Sequence, residues 1–435
     1  MTSRKSLASV AGGYMHPFMA NVPGYQLFRT FLRIGLLSFG GPAAQISLMH
    51  TELVDRHKWL TEKQFLGALS FCMLLPGPEA MQLATYAGWR LRGVSGGLIA
   101  GLLFVMPGAL VILLLASGYA FYGQVPVIQA VFVGIKAAVV VIVLQALLSL
   151  SRRALTGRDS WILALLAFGA MFFIGIPFPA IIATAAIYGY LSTTPGVAVS
   201  EHEECGAVNW YETIKTIATW ASLWAAPVVA AWLAGAAFLT EIAVFFSQLA
   251  IVTFGGAYAV LAYMTQAVVE THGWLSTEQM IDALGLAETT PGPLILVTVF
   301  VGFLAGFAQD GAAIAAAAAA MTLWVTFTPC FLWIFAGAPY VERLLAQPRL
   351  KGALAAVSAA VVGVILNLSV WFALHVLFAE VGRTGLGPRP DISSFSPLSA
   401  VLVLLAAVLL LWFRVPMLVT LLLTAAAAGA AHMLV

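Results

Sequence analysis

Glycine- and proline-rich stretches interrupt long apolar segments of this chain at two places. Residues 39–42 read FGGP and residues 76–78 read PGP. Proline removes a backbone donor, while glycine lets the chain turn and lets a ligand approach the backbone. A helix that restarts after such a break presents free N–H groups and the positive end of its dipole, which together attract anions. The breaks therefore predict a backbone anion site, with kinks that serve only helix packing as the alternative.

Both breaks occur a second time, at a constant offset of 215 residues. FGG recurs at 254–256 and PGP at 291–293, and 15 of the 40 positions from 39 to 78 are identical in the later copy. This repetition indicates a duplicated chain whose function lies at the duplicated breaks. It favours a binding role over packing alone.

Two glutamines follow the first pair of breaks closely. Gln45 and Gln82 offer neutral donors on apolar segments, either to an anion or to a neighbouring helix. The predicted substrate-binding residues at and beside the breaks are Gly40, Gly41, Pro42, Gln45, Pro76, Gly77, Pro78, Gln82, Gly255, Gly256, Pro291, Gly292 and Pro293.

Cationic side chains within apolar segments are further candidates, because a charge is costly inside a membrane. Lys136 lies about ten residues, or about 15 Å of helix, into its segment. It is predicted to bind the anion or a carboxylate partner, with a purely structural ion pair as the alternative. Arg29 and Arg33 share one helix face before the first break. They are predicted to attract anions inward, with snorkelling to lipid headgroups as the alternative.

Two acidic residues flank the PGP breaks. Glu79 directly follows the first PGP, and Glu288 lies just before the second. A carboxylate in a low-dielectric pocket holds its proton more tightly, so both are candidates for proton coupling. Capping of free N–H groups at a helix start is the alternative.

The composition is that of a membrane protein. Hydrophobic residues make up 62% of the chain and charged residues 9%, against about 25% charged in soluble proteins. Apolar windows long enough to cross a bilayer recur from residue 25 onward. We count about 13 apolar segments, six on each side of one extra segment, so the second half should be inverted relative to the first. The predicted fold is an all-α polytopic membrane protein with two inverted homologous halves and broken or re-entrant helices.

The chain is expected to divide into five parts. These are a cytoplasmic N-terminal segment (1–24), a first transporter repeat (25–191), a polar cytoplasmic linker (192–215), a connecting transmembrane helix (216–239) and a second, inverted repeat (240–435).

Lysine and arginine in the loops predict the orientation. If every segment spans, the side of the N-terminus carries 12 of these cations and the other side five. If the broken segments 25–48, 65–90, 241–265 and 280–308 enter and leave on one side, the distribution becomes 15 against two. We therefore favour nine spans plus four broken or re-entrant segments over thirteen full spans. The N-terminus is cytoplasmic in either arrangement.

Longer motifs around the breaks resemble a known family. FGGPAAQ at 39–45, CMLLPGPEAMQLATY at 72–86 and ETTPGP at 288–293 are similar to the chromate ion transporter family, and the likeness covers nearly the whole chain. The resemblance implies a long-chain, two-domain secondary transporter. Such a protein exports chromate from the bacterial cytoplasm across the inner membrane and confers chromate resistance.

The second half departs from the motifs of the first at two positions. Ala257 replaces the proline of FGGP, and Leu294 stands where the first half has Glu79, so the two halves are expected to contribute unequally. Composition and spacing do not separate chromate from sulfate, a near-isosteric dianion. Transport of sulfate or another tetrahedral oxyanion, or an anion channel, stays open.

Other activities lack their sequence signals. No glycine is followed by lysine, which excludes a GxxxxGK[ST] phosphate loop, and HExxH is absent. We expect no enzymatic activity, cofactor, metal or nucleic acid. The expected partners are chromate, with sulfate as a competitor, and membrane lipid, while a homodimer is left open. The residues also do not decide between proton coupling and drive by the membrane potential.

Overall fold

The computed structural model describes residues 22–193, 210–254, 256–341, 344, 347–384 and 387–434. Over these residues the chain is almost entirely helical, which confirms the prediction of an all-α polytopic membrane protein. Most of the predicted N-terminal segment and of the polar linker lies outside the described residues, as does Gly255 of the second FGG.

The helices of the first half and the connecting helix are α1 (Gly24–Leu37), α2 (Gly41–His50), α3 (Glu62–Cys72), α4 (Glu79–Tyr122), α5 (Pro126–Ala154), α6 (Arg158–Gly169), α7 (Phe178–Ser192) and α8 (Trp210–Leu233). Those of the second half are α9 (Ala237–Val252), α10 (Ala257–Gln266), α11 (Thr277–Thr289), α12 (Val297–Gly337), α13 (Pro348–Leu377), α14 (Pro397–Ala407) and α15 (Met417–Leu434). A two-stranded antiparallel hairpin, β1 (Val381–Thr384) and β2 (Gly387–Pro390), joins α13 to α14.

The same succession of elements occurs in both halves. In each, a helix ends at the FGG break and restarts, and then continues into one turn of π-helix, at Thr51–Arg56 after α2 and at Ala267–Thr271 after α10. A further helix, α3 or α11, then ends at the PGP break. This order supports the duplication read from the sequence, whereas the inverted orientation stays a prediction.

Both long helices that follow the PGP breaks bend at equivalent points. The bend of α4 is at Arg92 and Gly93, and that of α12 is at Asp310 and Gly311, where each glycine has a positive φ. Residues 93–97 also match the GxSxG pattern of acyl-transfer enzymes. They begin at the bend and continue into the second helical segment of α4, not between the strand and helix that such a nucleophile needs.

Five helical stretches of the described residues are long and apolar enough to cross a membrane. They are Glu79–Tyr122, Pro126–Ala154, Trp210–Leu233, Leu294–Tyr340 and Pro348–Leu377. Helices on both sides of the FGG breaks are shorter, from 10 to 16 residues. The interruptions predicted in the broken segments are therefore present as helix ends.

The connecting helix differs in its bounds from the prediction. α8 begins and ends six residues earlier than the predicted 216–239. The chain turns just after it at Gly235, whose φ is +71°, before α9 begins. The turn lies inside an uninterrupted apolar run, so hydropathy gave no signal for it.

Glycines let the long helices approach each other closely. Gly35 of α1 packs on the carbonyl of Leu103 in α4, and Gly108 of α4 packs on the carbonyl of Pro291 in the second PGP break. A Cβ at either position would collide with that carbonyl. Small residues of this kind are the usual means of close helix packing in membranes. Gly108 thus lets α4 of the first half pack directly against the PGP break of the second half.

The starts of α3 and α11 carry equivalent capping boxes. Thr61 Oγ1 accepts from the backbone N–H of Gln64, whose side chain accepts in return from the N–H of Thr61; Ser276 and Gln279 form the same pair. We expect Thr61→Ala to lower the free energy of unfolding by about 1 kcal/mol. Thermal unfolding in detergent measures this effect. Thr61→Ser keeps the hydroxyl and is the control, so an equal loss in both variants would contradict the capping role.

Candidate anion-binding site

The four breaks are joined by a reciprocal pair of backbone hydrogen bonds. The N–H of Gly77, in the first PGP, donates to the carbonyl of Thr253 over 2.8 Å. The N–H of Gly292, in the second PGP, donates to the carbonyl of Ser38 over 2.7 Å. Ser38 and Thr253 each directly precede an FGG sequence. The PGP break of each half is thus bonded to the FGG break of the other half.

The conformations at the breaks require glycine. The φ angles of Gly40, Gly77, Gly256 and Gly292 are +91°, +118°, +101° and +90°, a region that other residues rarely adopt. The sequence prediction for these positions assigned both turning and ligand approach to glycine. The structure adds a third role, because two of these glycines donate the bonds that hold the halves together.

Helices that start at the breaks have no side-chain cap, unlike α3 and α11, which start at loops. No side chain caps α2, α4, α10 or the short turn Leu294–Leu296 that leads into α12. The first N–H groups of a helix have no partner within it. The capping boxes of α3 and α11 satisfy such groups at the loops. The four break starts thus keep their donors and the positive ends of their dipoles for other partners.

The two glutamines bind the break carbonyls. Gln45 Nε2 donates to the carbonyl of Gly292 and Gln82 Nε2 donates to that of Pro76, each over 2.6 Å. Both side-chain oxygens are buried without a hydrogen-bond partner. A carbonyl only accepts, so these contacts fix the orientation of both amides. The oxygen of each amide is left as an acceptor for a donor that enters the site, such as water.

The two acidic residues predicted for proton coupling both lie at the breaks. Each lies at a different one of the two contacts between a PGP break and the FGG break of the other half. Glu79 lies beside Gly256, since a methyl group at Gly256 would be 4.0 Å from Glu79 Oε1. Glu288 is buried, and its Oε1 accepts a hydrogen bond of 2.9 Å from the hydroxyl of Tyr258. That hydroxyl also lies 4.0 Å from the place of a methyl group on Gly41. Tyr258 was not predicted from the sequence. The equivalent position in the first copy is Ala43.

Lys136 has a carboxylate partner that the sequence did not single out. Its Nζ lies 3.5 Å from Asp282 Oδ1, across the contact of α5 with α11, and the two side chains are only 18% and 7% exposed. The hydroxyl of Tyr119, from α4, donates to Asp282 Oδ2 over 2.7 Å. An aspartate within the apolar segment 280–308 was the available signal, because membranes tolerate few such charges.

The two predicted anion-attracting arginines have different surroundings. Arg33 Nε lies 3.4 Å from Oε1 of the buried Glu52, which also contacts Arg56 and His57. Arg29 is exposed on the same helix. Arg33 is half-exposed, so its charge faces solvent as well as the Glu52 carboxylate. Neither arginine belongs to the group of contacts that joins the breaks.

A second polar cluster joins the last residue of α2 to the first residue of α3. His50 Nε2 lies 2.6 Å from Glu62 Oε2, and this hydrogen bond raises the pKa of the His50 imidazole. Among the residues that the structure describes, no group of three His, Cys, Asp or Glu side chains is placed to hold a metal ion.

Comparison with known proteins decides the family. The model of the chromate transporter family matches residues 25–190 and 240–430. The chain belongs to the chromate transporter family. The two matched stretches leave out the linker and α8, in agreement with two homologous halves and a connecting segment. No solved structure matches the chain.

Similar proteins in the family come from several bacteria. A chromate transport protein of Pseudomonas aeruginosa is 33% identical over 78% of this chain and 79% of its own length. A chromate transport protein of Cupriavidus metallidurans is 31% identical over 84% of this chain and 86% of its own. A probable chromate transport protein of Synechococcus elongatus is 32% identical over 78% of this chain and 82% of its own. These similarities extend over both halves of the chain.

Proposed function

We propose that the chain is a secondary transporter that exports chromate from the bacterial cytoplasm across the inner membrane and thereby confers resistance to chromate. Its family and the names of its relatives support chromate as the substrate. The observation that carries the proposed site is the reciprocal bonding of Gly77 and Gly292, because it brings four uncapped helix starts together.

The proposed site holds the oxyanion with backbone donors in place of a full positive charge. Helix N-termini bind phosphate and sulfate in this way in many proteins. Gln45 and Gln82 brace the carbonyls of the breaks, so that the N–H groups beside them keep a fixed direction. We propose that Lys136, at the contact of α5 with α11, supplies a cation to the bound anion.

The proposed architecture places this site where two inverted halves meet, near the middle of the membrane, as in other transporters built from inverted repeats. The parts 25–191 and 240–435 are the halves, α8 connects them, and the N-terminus is cytoplasmic. Unwound backbone at this depth is tolerated where protein or a water-filled cavity satisfies it. The reciprocal hydrogen bonds provide such satisfaction for two of the break donors.

Export of a dianion has a ready driving force. An inside-negative potential favours the outward movement of two negative charges by about 4.6 kcal/mol per 100 mV. Proton movement through Glu79 or Glu288 would add the pH gradient. We propose these two residues for that role because both carboxylates lie at the breaks.

Uptake of chromate into inside-out membrane vesicles tests the proposed function. We expect accumulation that needs an energised membrane and is reduced by excess sulfate, with a protonophore separating the contribution of the proton gradient. An anion channel would equilibrate chromate without accumulating it. Equal uptake in vesicles that lack the protein would overturn the proposal.

Gln45→Leu is expected to lower the uptake rate about tenfold, because it leaves the carbonyl of Gly292 without its buried donor at a cost of about 1–3 kcal/mol. Gln145→Leu is the matched control, since Gln145 is exposed on α5. Initial rates of chromate uptake at equal protein amounts measure both variants. Equal rates for Gln45→Leu and the wild type would exclude this brace from the site.

A further inference from the structure

The buried carboxylate of Asp282 has few close polar partners. Its Oδ1 lies 3.5 Å from Lys136 Nζ, beyond an ordinary charge-assisted hydrogen bond. The same oxygen is buried and has no hydrogen-bond partner, while Oδ2 accepts one hydrogen bond, from Tyr119. The Lys136–Asp282 ion pair therefore lacks the short hydrogen bonds that would hold the two side chains in one position.

The pair joins the two halves, with Lys136 from the first and Asp282 from the second, and the duplication holds no equivalent pair. At the offset of 215 the counterpart of Asp282 is Gly67, beside which a methyl group would meet nothing within 4 Å. The stretch that repeats the surroundings of Lys136, at an offset of 222, has Ser358 in its place. The duplicated fold therefore does not need this ion pair for its packing. Its helix α11 carries Glu288 six residues after Asp282, and the second PGP break begins three residues later.

In the proposed site Lys136 also binds the oxyanion, so the anion competes with Asp282 for this cation. If Lys136 turns to the anion, Asp282 becomes a buried carboxylate with a single neutral donor. An isolated charge of this kind is strongly unfavourable, and the group takes up a proton instead. Anion binding at Lys136 and proton binding at Asp282 then favour each other.

We propose that Asp282 is a positioning residue that exchanges Lys136 for a proton when the oxyanion binds, so that binding of the anion is linked to uptake of one proton. This inference rests on the proposed function. The proton on Asp282 binds and leaves with the anion, so it is distinct from the proton that we propose to move through Glu79 or Glu288.

The groups that act electrostatically on Asp282 come from three helices. They are Lys136 of α5, Tyr119 of α4 and Glu278 of α11 itself. α12 and α15 also pack on α11. Their titratable side chains, Asp310, Cys330 and His432, are not among the groups that act on Asp282. The charge state of Asp282 therefore depends on its burial and on whether Lys136 faces it or the oxyanion.

Calorimetry of chromate binding to the purified full-length protein tests the linkage. Titrations in two buffers with different ionisation enthalpies give the number of protons taken up per bound anion. Chromate itself titrates near neutral pH, but this contribution is common to all variants. We expect the wild type to take up about one proton more per chromate than Asp282→Asn, which mimics the protonated state. Equal proton numbers for the two proteins would overturn the proposal.

Tyr119→Phe provides a second test that does not depend on Asp282→Asn remaining folded. Loss of the donor to Oδ2 disfavours the charged carboxylate, so the proton uptake should persist to higher pH than in the wild type. Tyr122→Phe is the matched control, because Tyr122 is exposed on the same helix. An unchanged pH dependence in Tyr119→Phe would count against the exchange.

A swapped pair separates this role from simple bracing. Lys136→Asp combined with Asp282→Lys keeps an ion pair but moves the cation to α11. Wild-type transport and proton uptake in the swapped variant would overturn the proposal, whereas loss of transport in a folded protein supports it. If the wild-type protein neither binds chromate nor takes it up into vesicles, the proposed function itself is wrong, and the inference about Asp282 fails with it.

Discussion

Gly292→Ala is expected to reduce chromate transport about ten- to a hundredfold while the protein still folds. A Cβ at this position would meet Leu296 Cδ1 at 3.2 Å and the carbonyl oxygen of Phe104 at 3.3 Å, and φ is +90°. A residue held in such a conformation costs about 1–3 kcal/mol, or about ten- to a hundredfold in an equilibrium or rate. Relief of the strain would move the N–H of Gly292 away from Ser38 and separate the breaks. Initial rates of vesicle uptake measure the effect.

Gly311→Ala is the matched control for this variant. Its φ is +71°, but a Cβ there would meet nothing within 4 Å, and it lies at the bend of α12 outside the breaks. It carries a backbone penalty without the steric contacts. Gly77→Ala should behave like Gly292→Ala, because Gly77 makes the reciprocal bond. Equal transport losses in Gly292→Ala and Gly311→Ala would show that backbone strain alone, and not the joining of the breaks, is responsible.

Lys136→Met is expected to lower the free energy of unfolding by about 3–5 kcal/mol, because it leaves Asp282 buried without its cation. The loss should shrink as the pH falls, since protonation removes the uncompensated charge. Lys136→Met combined with Asp282→Leu should restore most of the stability, because apolar side chains of similar volume replace buried ion pairs well. Chromate transport should stay lost in the double variant. Thermal unfolding in detergent at several pH values measures these differences.

The exposed pair of His50 with Glu62 offers the control for this second prediction. Glu62 is 60% exposed, so Glu62→Ala should cost less than about 1 kcal/mol. If Lys136→Met costs no more than Glu62→Ala, then the Lys136–Asp282 contact does not stabilise the fold. A double variant that regains transport along with stability would contradict a role for Lys136 in anion binding.

The positions of the breaks were predictable because their signal is local. Proline removes a helix hydrogen bond and the glycines beside it let the chain turn, so FGGP and PGP within apolar runs mark helix ends directly. The duplication was predictable for a similar reason, since a constant offset needs no knowledge of the fold. The membrane class followed from hydropathy alone. All of these inferences depend on neighbouring residues or on identity between the copies.

The contacts between the breaks could not be predicted in this way. The bonds from Gly77 to Thr253 and from Gly292 to Ser38 use backbone atoms, which every residue has. Tyr258 and Asp282 were not predicted because the sequence prediction relied on residues that are repeated in both copies. At these two positions the copies differ, with Ala43 and Gly67 as the counterparts. The turn at Gly235 was missed because the surrounding composition does not change.

The reciprocal bonds also make the two halves dependent on each other in evolution. Ser38 accepts from the second half and Thr253 accepts from the first, so a half that existed alone would leave both an acceptor and a donor unsatisfied within the bilayer. An ancestor of half this length could have been complete only as a pair of subunits. Within a single chain that pairing is permanent. Each copy was then free to change its own residues, as Asp282 and Glu79 show, provided the shared backbone ties were kept.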